Sequence, residues 1–147
     1  MTTLSKTVLG MTWLVAALLG SGCSGNNTTA PATTTTTTTT SPATEIFTSI
    51  VSPQGTATHS FSAATAGTIS VTLTTAGPPP TIVMGLGLGV PNPATSGCSL
   101  TTSVNTAAGS TPQITRAADA GMYCIAILDL GHAPPTGVSF SITIVHP

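Results

Sequence analysis

Few side chains in this 147-residue sequence are equipped for acid–base or metal chemistry. The acids are Glu45, Asp119 and Asp129, the cations Lys6 and Arg116, and the histidines His59, His132 and His146. The histidines lie in separate segments, without the short or i, i+4 spacing that sets imidazoles around one metal. Surface or edge-strand histidines are the expectation, with fraying at His146 beside Pro147. Calcium takes several oxygen ligands, usually carboxylates among them, and the three acids are scattered. A hydrolytic triad needs a serine beside a histidine that a carboxylate orients. The many serines allow such combinations on paper, but no Gly-x-Ser-x-Gly elbow accompanies one. A glycosidase pair would need Asp119 and Asp129 to converge across a groove. Their neighbours Gly121 and Gly131 point instead to turn caps on either side of Tyr123, with Arg116 pairing to one of them at the surface. Gly85, Gly87 and Gly89 recur every second residue with no lysine, which fits a strand and not a phosphate loop. No catalytic residue, metal ligand or cofactor is expected.

The elements that would carry these residues are almost neutral. Charged residues make up 3% of the sequence, against about 25% in ordinary domains. Beyond Cys23 the only cation is Arg116. No basic patch can form, so nucleic-acid binding is excluded, because phosphate neutralisation supplies most of that affinity. Binding to acidic headgroups through a polybasic surface is excluded for the same reason. Solubility rests on threonine and serine hydroxyls. The one tryptophan, Trp13, precedes Cys23, leaving Phe47, Phe61, Tyr123 and Phe140 as the later aromatics. All four stand at core-type positions, which disfavours stacking on sugar rings.

The amino end reads as an export signal. Lys6 supplies a positive start, Val8 to Leu19 form a brief apolar run, and Gly20-Ser21-Gly22 follow. The run is shorter than the ~20 residues a spanning helix needs, so residues 1–22 are expected to be a signal peptide. Leu19-Gly20-Ser21-Gly22-Cys23 resembles the lipobox of bacterial lipoproteins, whose cysteine carries diacylglycerol; Gly20 stands where that family prefers leucine. The resemblance implies a lipid on Cys23 and a chain held at a membrane of the cell envelope. Each buried methylene would add about 0.8 kcal/mol of membrane affinity. Residues 24–44 are rich in threonine and proline, with unbroken threonine from Thr33 to Thr40. So little apolar mass cannot offset chain entropy, and a hydrophilic tether is expected. With Cys23 lipidated, Cys98 and Cys124 remain as an even pair in an oxidising compartment, and a disulfide is the economical pairing.

From residue 45 to 147 the chain is long enough for one core, and its period is two. Ile69, Val71 and Leu73 alternate with hydroxyl residues, as do Val138, Phe140, Ile142 and Ile144; Tyr123, Ile125 and Ile127 share one side of a third segment. Such alternation buries one face of a strand. Ile46 to Val51 and Thr58 to Ala63 are expected to pair around Gln54-Gly55. Thr81 to Val90 and Cys98 to Val104 complete the set, with turns at Gly77-Pro78-Pro79-Pro80, Pro91-Asn92-Pro93 and Pro134-Pro135. The expectation is an all-β fold, an antiparallel sandwich or barrel.

His59-Ser60-Phe61-Ser62-Ala63 with Gly67 to Leu73, and Gly121 to Ile127 with Phe140 to Ile144, resemble the bacterial pre-peptidase C-terminal domain. That resemblance covers most of Ile46 to Pro147. It implies a jelly-roll-like β-sandwich, and for some relatives collagen, polysaccharide or calcium binding; only the fold is carried over. Asp119-Ala120-Gly121-Met122-Tyr123-Cys124 resembles the Asp-x-Gly-x-Tyr-x-Cys of immunoglobulin domains, but here tyrosine and cysteine are adjacent and so face opposite ways. With Tyr123 in the core, Cys124 is expected to face outward and to staple a neighbouring strand or loop. The functional expectation is a lipid-anchored envelope protein with a non-catalytic interaction or structural module. A carbohydrate- or matrix-binding adhesin and a small secreted hydrolase are the alternatives.

Overall fold

The computed structural model describes residues 41–147; the expected signal peptide 1–22, Cys23 and the tether as far as residue 40 lie outside the described residues. Eight strands follow one another: β1 (Ala43–Val51), β2 (Thr56–Ala63), β3 (Gly67–Gly77), β4 (Met84–Asn92), β5 (Gly97–Thr106), β6 (Ile114–Ala118), β7 (Gly121–Asp129) and β8 (Val138–His146). They form two four-stranded antiparallel sheets, in the orders β1-β8-β3-β6 and β2-β7-β4-β5. The first strand pairs with the last, the second with the seventh, the third with the sixth and the fourth with the fifth. A long hairpin rolled up on itself gives this pattern, the eight-stranded jelly-roll sandwich. The all-β expectation holds.

Alternation decides which side of each strand is buried. Ile69, Val71 and Leu73 of β3, Phe140, Ile142 and Ile144 of β8, Leu86 and Leu88 of β4, and Ile125 and Ile127 of β7 meet in one core. The outward residues of β3 and β8 are mostly threonine and serine, so β-branched and hydroxyl side chains satisfy both strand preference and solvent.

Three local expectations are corrected. β1 and β2 do not pair with each other; they lie in different sheets, against β8 and β7. The turn between them is a corner closed by the Gly55 N–H on the Ser52 carbonyl at 2.8 Å, and Gln54 takes φ 56° there. Long-range partners outcompete the local hairpin because β8 and β7 carry well-buried apolar faces. β6 is a strand with no counterpart in the sequence pattern, since among its residues only Ile114 is fully buried. β4 begins at Met84, not at Thr81, and runs through Pro91.

The glycines of β4 have a packing role. Gly85, Gly87 and Gly89 share the outer face of the second sheet, where side chains of neighbouring strands fold over them. A Cβ on Gly85 would lie 2.7 Å from Leu128, and one on Gly87 2.6 Å from Leu100. At Gly89 the obstacle is backbone, the Ser99 carbonyl oxygen. There the β4–β5 register shifts, and the start of β5 swings towards β7.

Candidate functional site

That swing carries Cys98 to Cys124, and the two form a disulfide whose Cα atoms are 5.8 Å apart. Both residues belong to one sheet, and the bond passes over the outer face of β4, clear of the interior. Cys124 faces away from Ile125 and Ile127, as the Tyr123–Cys124 adjacency implies. It is nonetheless only 1% exposed.

Glu45 collects the polar groups that the sequence left dispersed. Its carboxylate lies between two imidazoles: Oε2 is 2.8 Å from His59 Nε2 and Oε1 is 3.0 Å from His146 Nε2. An ionised carboxylate only accepts, so both Nε2 atoms carry the proton. Hydrogen bonding from His59, followed by that from His146, holds the Glu45 carboxyl below its ordinary range against the opposing effect of desolvation. Aromatic rings frame the group. His59 stacks on Phe47 at 5.0 Å, and His146 lies 5.0 Å from Phe61.

This arrangement corrects the expectation of a frayed His146 and brings it together with His59, whereas His59 on the edge strand β2 and the exposed His132 stand as expected. His146 is 5% exposed, on the inward side of β8, and beyond it the Pro147 carbonyl accepts the Ala64 N–H at 2.8 Å. The signal was present in the alternation: Glu45 shares a face with Phe47, His59 with Phe61, and His146 with Ile144. His132 stays apart and contributes its backbone N–H to Asp129. The two imidazoles engage different oxygens of one carboxylate, a hydrogen-bonded bridge and not a convergent ligand set. Among the described residues no group of three histidine, cysteine or acidic side chains is placed to hold a metal ion.

Asp129 terminates β7 and is buried. Its Oδ2 accepts the Gln54 N–H, and its Oδ1 accepts those of His132 and Ala133, each at 2.9 Å. These bonds, led by that from Gln54, keep its carboxyl below the ordinary range. One side chain thus ties the β1–β2 corner to the loop before β8. Asp119 acts through its carbonyl, which accepts the Tyr123 hydroxyl at 3.0 Å. Arg116 forms no ion pair with either aspartate; its Nη1 donates to the Thr102 hydroxyl at 2.6 Å, joining β6 to β5. A cavity of about 250 Å³ beside it is lined by Ile69, Leu88, Val90, Arg116, Asp119 and Tyr123, among others. A second, of about 300 Å³, adjoins Gly67, Ala117 and Asp119. No histidine lines either cavity.

No family model matches the chain, and no curated protein matches it either.

Proposed function

We propose that this chain is an exported lipoprotein of the bacterial cell envelope, anchored by lipid on Cys23. Its β-sandwich serves as a non-catalytic interaction or structural module at the end of a threonine-rich tether. The observation that carries the module reading is where the ionisable groups are engaged. Glu45 is held by two imidazoles, Asp129 by three backbone N–H groups and Arg116 by a threonine hydroxyl. Each of these bonds joins strands or turns, so these three groups are tied into the scaffold, and neither cavity is lined by a histidine that could act with Asp119. The order of segments supports the anchor: Lys6, the apolar run to Leu19, the small residues 20–22, Cys23, then threonine and proline.

Mass spectrometry of the mature amino-terminal peptide tests the anchor. A diacylglyceryl-modified Cys23 is the expected result, and Cys23→Ser should move the protein from the membrane to the soluble fraction. An unmodified Cys23 in the mature protein would end this reading. Retention on a glycan array or on matrix proteins would instead assign the sandwich to the adhesin class.

A further inference from the structure

Four strands edge the two sheets: β1 and β6 on one, β2 and β5 on the other. Three are poorly suited to receive another strand. β6 is short, with five residues, and carries Arg116. β5 loses register beside Gly89 and folds Leu100 over Gly87. β2 turns only Thr56, Thr58, Ser60 and Ser62 outward. β1 is long, regular and carries exposed apolar side chains. It pairs with β8 in unbroken register from Ala43 to Val51, and no described strand lies on its other side. Its outward residues are Thr44, Ile46, Thr48 and Ile50, and the two isoleucines are 69% and 60% exposed. A long edge with exposed apolar residues is the kind that sheet proteins usually blunt.

We propose that β1 is a self-association edge, on which two copies of this chain pair β1 to β1, antiparallel, about a two-fold axis through Thr48. The result is one continuous eight-stranded sheet. The axis must pass through a residue and not between residues, because backbone groups facing the neighbour recur at every second position. An axis through Phe47 sets each isoleucine opposite a threonine. An axis through Thr48 sets Ile46 opposite the second copy's Ile50, and Ile50 opposite its Ile46, with Thr48 facing Thr48. Both isoleucines are then covered by β-branched partners, the pairing that stabilises antiparallel neighbours.

Charge permits this register. Glu45 is the one charged residue of β1; it falls opposite Val51 of the second copy, and the two carboxylates stay roughly 20 Å apart along the strands. Chain length permits it too. The paired strands leave their Ala43 residues roughly 34 Å apart. Residues 24–42 reach as far as roughly 60 Å when extended, so copies anchored to one membrane can meet. The pairing itself does not depend on the anchor.

The test uses the full chain, exported with Cys23→Ser, in sedimentation equilibrium. The expected result is a dimer that dissociates on dilution. Ile46→Thr with Ile50→Thr should raise its Kd by about tenfold or more while leaving the Tm of the dilute monomer in place, since both side chains are exposed. Thr48→Cys should give a reducible cross-linked dimer on mild oxidation, because directly opposite Cβ atoms lie about 4.5–5.5 Å apart. Thr44→Cys, two strand positions from Ile46, should not. A monomer at the highest soluble concentration, a dimer indifferent to the double isoleucine variant, or efficient cross-linking at Thr44 in place of Thr48 would each overturn the proposal.

Discussion

The two open sides of the sandwich are closed by different chemistry. On one side β1 meets β2, and the join is a carboxylate between imidazoles, wrapped in Phe47 and Phe61. On the other β5 meets β6, and the join is the Arg116–Thr102 hydrogen bond, with β5 fastened from behind by Cys98–Cys124. The first is densely filled with aromatic surface and responds to protons. The second has a cavity of about 250 Å³ at its lip and responds to reductant. A chain with so few charges has placed Glu45 at one seam and Arg116 at the other, where a side chain from one sheet must reach the other without crossing the core. A hydrophobic interior holds two sheets face to face, but at an open side it needs a directional bond to set their relative position.

The largest effect should come from emptying the aromatic seam. Phe61 is 3% exposed and stacks on Tyr123, so Phe61→Ala should cost about 3–4 kcal/mol, read from urea unfolding. Hydrogen exchange should then rise first in β1 and β2; faster exchange in β5 instead would show that the two seams are not independent.

Removing the disulfide should cost nearly as much on the opposite side. For a sequence separation of 26, Cys98→Ala with Cys124→Ala should lower stability by about 3.5 kcal/mol in the chain-entropy model. Exchange should rise in β5 and β6 and stay low in β1.

Acid should act on the first seam and spare the second. The Glu45 carboxyl titrates below its ordinary range when folded, so the unfolded chain binds the proton more readily. Its contribution is complete above about pH 4.3 and is lost as pH falls through the lower folded value. Asp129, also depressed, acts in the same direction at the β1–β2 corner. Glu45→Gln should cost about 1 kcal/mol at neutral pH, discounted for partial exposure, and should flatten the acid limb of the stability profile. A Glu45→Gln curve parallel to wild type down to low pH would remove the bridge from the comparison.

The smallest effect belongs to Arg116. Its one hydrogen bond is exposed, and Arg116→Ala should change stability by less than about 0.5 kcal/mol. A larger loss would make the second seam as dependent on a polar bond as the first.

Much of this was legible in the sequence and some was not. The strands with strict alternation, Gly67 to Thr75, Gly121 to Asp129 and Gly137 to Val145, lie where the period of two put them, because burial of one face is a local signature. β6 escaped notice because a short edge strand needs only Ile114 inside. Tyr123 beside Cys124 foretold a disulfide outside the interior, and the glycine spacing in β4 foretold a strand. That Leu100 and Leu128 would fold over those glycines was not foretold, since they come from different strands.

The sequence by itself settled the near-neutral composition, the β period and the turn-forming places of Asp129 and the glycines, and it offered Cys98 with Cys124 as the economical cysteine pair. Only the tertiary structure decided that β1 leaves β2 for β8, and that Glu45, His59 and His146 become one cluster. His146 lies 101 residues from Glu45. Local propensity selects a conformation for each segment, but pairing between distant strands is chosen by competition among all of them. The rolled hairpin, which sets first strand beside last, is what turns three dispersed polar residues into a seam.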